Sequence, residues 1–330
     1  MEYLIEYALF AAKLLTAAAL LAVPLLLVLG ARQSRHSRPQ ATIEVRLVND
    51  DLLDAQLNVE AALLPEKAFK KRLKEVRKET KARASAAPDE NASRTFLCDF
   101  EGDMHASAVA ELREEISAIL SVATPADRVI VVLESGGGTI HDYGLAASQL
   151  RRIRDREIHL TVVVDRIAAS GGYMMACVAN RISAAPFAII GSIGVVAQVP
   201  NFHRLLKKHD IDFEQITAGK YKRTLSLFGE NTDEGRSKFQ QDMDEAHQLF
   251  KAFIAESRPQ LDLENTATGE YWFASRALEL GLVDHLATSD DVIAEAASAG
   301  GVYRVYANRK RSFGERLAQP LTRALAAYRP

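Results

Sequence analysis

Residues 7–30 form an almost unbroken apolar run, interrupted by Lys13 and containing Pro24. About 20 such residues suffice for a helix to cross a bilayer. The run exceeds a secretory signal core, and Gly30-Ala31-Arg32-Gln33 makes a poor cleavage site, so the pattern predicts an N-terminal transmembrane helix that stays attached. Past it the hydrophobic period shortens. Residues 42–51 alternate as a strand or two. Residues 65–84 carry nine Lys or Arg against three acids, with Phe69, Leu73 and Val76 at helical spacing. That helix presents either a solvated charged face or a basic surface suited to anionic lipid. Residues 85–93 read as a linker.

Strand and helix then alternate with short connections. Strand patterns cover residues 95–100, 128–133 and 158–164. Helical patterns run through Val109, Leu112, Ile116, Ile119 and Leu120, then over 142–156 and 173–178. This alternation predicts an α/β body. Residues 188–197 read as buried strand and turn. Residues 233–257 form a long helix with Phe239, Met243, Phe250, Phe253 and Ile254 on one face. Residues 274–284 form a helix that Gly281 stops before a strand. The basic tail, 309–330, spaces Phe313, Leu317, Leu321 and Leu325 like a helix face that Pro320 interrupts. The expected organisation is a membrane anchor (1–38), a charged region and linker (39–94), an α/β body (95–290), and a final strand with the basic tail (291–330).

Charge removes one class of function. The 330 residues hold 41 Lys and Arg against 43 Asp and Glu, and no zinc-ligand spacing or aromatic-basic interleaving occurs. Nucleic acid is therefore not an expected partner, and no metal or organic cofactor is implied. Cys98 and Cys177 lie in apolar runs and read as buried thiols. Arg32, Arg35 and Arg38 follow the apolar run while Glu2 and Glu6 precede it, which by charge bias places the body in the cytoplasm.

Two turns carry candidate chemistry. Ser170 stands between a β-branched strand and a small, apolar helix, flanked by Ala168-Ala169 and Gly171-Gly172. It is either a helix N-cap or a nucleophile beside free backbone N–H groups. Three glycines, Gly136 to Gly138, end the preceding buried strand. They make either a tight turn or a backbone surface that presents N–H groups to an oxyanion. A serine nucleophile needs a base. None of the eight histidines stands in an evident catalytic turn with a partner acid, and Ala168 departs from G-x-S-x-G. Lys220 and Lys222 are the lysine candidates; such a base must be desolvated to lose its charge, and otherwise both are surface lysines.

Several segments together resemble the S49 family of membrane-associated serine peptidases, the signal-peptide-peptidase A group, and within it the SohB branch. They are Glu134-Ser-Gly-Gly-Gly138, Tyr143-Gly-Leu-Ala-Ala-Ser-Gln-Leu150, the stretch 168–179 around Ser170, 188–198, Gly219 to Arg223, and 279–284. The resemblance implies a ClpP/crotonase-like spiral of ββα units and a Ser–Lys dyad of Ser170 as nucleophile and Lys222 as general base. It assigns Ser192 to supporting the lysine, and the N–H groups of Gly138 and Gly171 to the oxyanion. The usual Ser-Pro-Gly-Gly reads Ser135-Gly136-Gly137-Gly138 here, a loss of rigidity in that turn. Homo-oligomers with sites near subunit contacts are also implied, as is the outer face of the inner membrane, against the charge bias.

The resulting expectation is a membrane-anchored serine endopeptidase. An extended peptide would add as a strand beside the turns near Gly138 and Ser192, making Gly137, Thr139, Ile193 and Gly194 candidate substrate contacts. A crotonase-type acyl-CoA enzyme and a catalytically silent membrane scaffold are the alternatives.

Overall fold

The computed structural model describes residues 42–85 and 93–308. The anchor expected over 7–30, most of the linker and the tail over 309–330 lie outside the described residues. No helix among the described residues is long and apolar enough to cross a membrane.

The described chain begins with β1 (Thr42–Leu47), α1 (Val48–Leu63) and α2 (Glu66–Ser85). There follow β2 (Thr95–Gly102), α3 (Val109–Leu120), β3 (Arg128–Ser135), α4 (Ile140–Arg154), β4 (His159–Val164), β5 (Ile167–Ala169) and α5 (Gly171–Ala176). Next come β6 (Arg181–Ala184), β7 (Ile189–Gly191), α6 (His203–Lys208), α7 (Asp233–Ser257) and α8 (Leu263–Thr266). The chain closes with β8 (Tyr271–Phe273), α9 (Ala274–Glu279), β9 (His285–Leu286), α10 (Ser289–Ala299) and β10 (Val302–Asn308). The alternation expected from residue 42 breaks at Val48, where α1 starts. Asp50 and Asp51 fall in its first turn, where carboxylates favour the helix dipole. On α2, Val76 is buried with Phe69 and Leu73 half-buried. The helix lies along α1, with Arg72 paired to Glu60 at 3.2 Å.

The strand order is β1-β10-β2-β3-β4-β6-β9, with β5 beside β3 and β7, and β7 beside β8. From β10 to β9 each pair along this path is parallel, and β7–β8 is antiparallel. Parallel strands buried on both faces read as continuous apolar runs, and their side chains alternate between faces. Phe96, Cys98, Phe100, Val129, Val131, Leu133, Leu160, Val162 and Val164 pack into the larger core. That core also takes the buried sides of α3, α4, α5 and α7. Leu97, Ile130 and Val163 point the other way, into a smaller cluster with Ile293 and Val302. This is a mixed α/β fold built on a large sheet, with helices on both faces.

Both cysteines are fully buried. Burial raises the Cys98 thiol well above its ordinary value and pushes the Cys177 thiol up to about 12. Beneath α5, the Tyr173 hydroxyl donates to the Leu282 carbonyl at 3.0 Å. Nearby, Arg258 at the end of α7 bonds both oxygens of Asp284, at 2.6 and 2.8 Å, and the Gly281 carbonyl at 3.0 Å. Asp284 in turn accepts from the Ile182 N–H of β6 at 2.7 Å, so the floor under α5 is tied to the sheet.

A buried carboxylate, Asp127, makes stability pH-dependent. Burial alone would raise the pKa of Asp127, but bonds from Arg94 (2.7 and 3.0 Å) and Thr124 (2.8 and 3.1 Å) prevail and bring it down to about 2. A depressed carboxylate contributes stability above its unfolded value, near 4, and loses it as pH falls toward the folded one. Urea unfolding at a series of pH values should therefore show a loss of about 2 kcal/mol attributable to Asp127 between pH 4 and pH 2. Asp127→Asn should be less stable at neutral pH and flatter across that window; an unchanged slope would refute the assignment.

Candidate active site

Ser170 sits where β5 passes into α5, and its backbone is the most informative feature of the site. Its φ of 52° and ψ of −118° lie where a residue bearing a β-carbon is seldom found. The surrounding frame enforces this geometry. The Ser170 N–H donates to the Gly191 carbonyl at 2.8 Å, and its carbonyl accepts from Met174 at 2.9 Å. β5 is itself held between β3 and β7, in register at Ser135↔Ala168 and Ala169↔Gly191. The side chain makes no N-cap hydrogen bond and is half-buried, so the capping alternative does not describe it.

The same register brings the glycine turn to Ser170. Gly137 has φ +86°, and a β-carbon there would lie 2.7 Å from both the Ser170 Cβ and the Gly171 nitrogen. One on Gly138 would lie 2.1 Å from the Met104 carbonyl oxygen, and one on Gly171 would lie 2.3 Å from Cγ of Tyr143. Two of these glycines therefore stand against the serine turn or the tyrosine beside it, in spaces that admit no side chain. Among the described residues, neither the Gly138 nor the Gly171 N–H donates to an acceptor. Such paired donors beside a hydroxyl can receive negative charge developing on a carbonyl oxygen. Thr139 follows directly; its N–H donates to Met104 at 2.9 Å and its hydroxyl bonds Asp142.

The other sequence candidates fall differently. Ser192 has φ 51° and donates its N–H to Glu270 at 2.6 Å, while Gly269 donates to Ile193 at 3.0 Å. The turn is thus engaged on one side by residues 269–270. Ile193 is fully buried because its side chain enters the main core, so it can offer a peptide only backbone. Gly194 packs against Gly269. Lys222 is exposed, in an irregular segment after α6, and no described contact joins it to Ser170 or Ser192. Lys220 bonds Glu234, and that bond raises its pKa, which keeps it charged and unsuited to act as a base.

Sequence reasoning passed over a second feature. His105 and His141 both approach Asp142, at 3.5 and 3.6 Å, beside Thr139. Both imidazoles are exposed, and no described contact links either to Ser170. The adjacency of His141 and Asp142 was visible in the chain; the approach of His105 depends on the fold. Among the described residues no cluster could hold a metal ion.

If the contact between the two turns sets the serine's position, Gly137→Ala should fold but misplace Ser170. Labelling of Ser170 by a fluorophosphonate should fall about 100-fold, as for a displacement of about 1 Å, with the far-ultraviolet circular dichroism unchanged. Labelling at the wild-type rate would show that the close approach is dispensable.

Comparison with known proteins bears on this arrangement. Residues 152–303 match the model of peptidase family S49, and residues 2–150 match that of the family's N-terminal region. A Haemophilus influenzae protein described as "Probable protease SohB" is 46% identical over 321 residues, covering 94% of this chain and 91% of the relative. Buchnera aphidicola proteins carry the same description. The one from subspecies Schlechtendalia chinensis is 45% identical over 302 residues (89% of this chain, 99% of the relative). The one from subspecies Acyrthosiphon pisum is 54% identical over 236 residues (72% and 70%). With both halves matched in order and full-length relatives at this identity, the chain belongs to peptidase family S49 and is a peptidase.

Proposed function

We propose that the protein is a membrane-anchored serine endopeptidase with a ClpP/crotonase-like catalytic body, in which Ser170 is the nucleophile and Lys222 the general base. The observation that carries this reading is the strained, uncapped Ser170 in contact with a turn whose Gly138 N–H, like that of Gly171, has no described acceptor. Neutral Lys222 takes the Ser170 proton as Oγ bonds to the peptide carbonyl carbon. The two N–H groups receive the tetrahedral oxyanion. Collapse breaks the C–N bond, and the lysine's proton passes to the leaving amine. Water then hydrolyses the acyl-enzyme with the same lysine as base. The competing candidate, Lys220, is committed to Glu234.

A lysine base must be shielded from water, and Lys222 is exposed in the single chain. Homo-oligomerisation meets that need. What supports it is the apolar surface of the segment bearing Lys222, where Val196 is 83% and Ile216 94% exposed, with Leu205, Ile211 and Phe213 also open. Scattered exposed apolar residues are ordinary, but so many along one segment would suit a contact between copies of the chain. Ser192 is proposed to support the lysine within the assembled site. The apolar run at 7–30 anchors the enzyme in the bacterial inner membrane, and the basic helix α2 faces lipid. Substrates are extended peptides or membrane-derived protein segments bound along Gly137, Thr139 and the backbone of Ile193 and Gly194.

Cleavage of a fluorogenic peptide by the full chain should fall at least about 1,000-fold in both Ser170→Ala and Lys222→Ala. A fluorophosphonate should label wild type at Ser170. Turnover within tenfold of wild type in either variant, or labelling at another serine, would overturn the dyad.

A further inference from the structure

Gly136, Gly137 and Gly138 have no side chains with which to hold their own turn, and glycine has more conformational freedom to lose than any other residue. A donor N–H is useful to a transition state only when its direction is fixed beforehand. A chain of hydrogen bonds runs from this turn into the core. The Gly137 N–H donates to Ser135 Oγ at 3.0 Å. The Ser135 and Tyr143 hydroxyls lie 2.5 Å apart. The Tyr143 hydroxyl donates to the Asp103 carbonyl at 2.7 Å. Since the tyrosine's one proton goes to Asp103, Ser135 is the donor to Tyr143, and each link points the same way. Aligned links of this kind polarise one another.

The far end of the chain is firm. Asp103 closes its own turn through the N–H groups of His105 and Ser107, at 3.1 and 2.9 Å, and the Ser107 hydroxyl at 2.6 Å. The next carbonyl, that of Met104, lies against Gly138. Tyr143 and Ser135 are both buried, and burial raises the tyrosine's pKa, so the phenol remains a neutral donor. Gly102, in register with Ser135, leaves the room they need: a β-carbon there would lie 2.4 Å from the tyrosine oxygen and 2.6 Å from Ser135 Oγ. The ring of the same tyrosine lies against Gly171, where a β-carbon would come 2.3 Å from Cγ.

We propose that Tyr143 is a positioning residue for the oxyanion site, aligning the Gly138 N–H through Ser135 and Gly137 and bracing the Gly171 N–H with its ring. The inference rests on the reading of Ser170 as nucleophile with these two N–H groups as oxyanion donors. Neither Tyr143 nor Ser135 touches the reacting atoms. Their effect should therefore appear in the stabilisation of the tetrahedral state and not in substrate affinity.

Tyr143→Phe in the full chain keeps the ring against Gly171 and removes both links that the hydroxyl makes, to Ser135 and to Asp103. Expected is a kcat about 10- to 100-fold below wild type, short of the loss of a whole oxyanion donor, with KM within about threefold. Affinity for a peptide boronate, which forms a tetrahedral adduct on the serine, should weaken by the same factor. Peptide binding to Ser170→Ala should not change when Tyr143→Phe is added. Ser135→Ala leaves the tyrosine bonded to Asp103 and should reproduce the split, which covers a Tyr143→Phe protein that fails to fold. Unchanged kcat, a loss confined to KM, or lowered thermal stability with wild-type boronate affinity would overturn the proposal. A Ser170→Ala control that still turns over would instead overturn the reading of the site, and the inference with it.

Discussion

The site depends on an approach between two stretches of backbone that leaves no room for a β-carbon. β3 and β5 run parallel and release their chains at the same end of the sheet, the end where open α/β folds place their chemistry. One strand exits into glycines and the other into a serine forced to positive φ. Because the strands are locked in register by the ladder and by the apolar residues beneath it, the two exits cannot drift apart. The unusual serine backbone costs roughly 1–3 kcal/mol, and the cohesion of the sheet and its larger core offsets it.

That arrangement explains the choice of small residues around Ser170. Gly102, Gly137, Gly138, Gly171 and Gly172 each stand where a β-carbon would fall within 3 Å of a neighbouring atom. They are not interchangeable turn residues. Gly102 makes space for two hydroxyls, Gly137 and Gly138 let the turn come close to Ser170 and Met104, and Gly172 clears the Ser135 carbonyl at the end of β3. Each vacancy lets a neighbouring group pack directly against the two turns or the strands that lead into them.

The parts of the fold legible in the sequence were those encoded locally. β-branched runs announced β3 and β4, the 3.6-residue spacing announced α3, α4 and α7, and strand–turn–helix punctuation singled out Ser170 and Gly136 to Gly138. The parts that were not legible depend on long-range pairing. α1 was missed because the strand reading of residues 42–51 was carried past Leu47 into Val48-Asn-Asp-Asp51, whose acids suit a helix start. Ile193, named as a candidate peptide contact, sends its side chain into the core, which leaves its backbone as the part that could meet a peptide. Tyr143 was read only as part of a motif, since its task arises from the register of Gly102 with Ser135 and from a carbonyl 40 positions away. The pairing of Lys220 with the Glu234 carboxylate likewise emerges only in the fold.

The sealed thiols have a practical corollary. Cys177 lies just past α5, the helix that starts after Ser170, yet it has no exposed surface, and at about 12 its pKa leaves almost none of it as thiolate at neutral pH. Maleimides and iodoacetamide need thiolate and access, so in the native protein they should find neither here nor at Cys98. Uptake of such a reagent at these two sulfurs therefore times the opening of the core. An alkylating compound that silences the enzyme by modifying them would be acting on an unfolding excursion, not on the turns around Ser170.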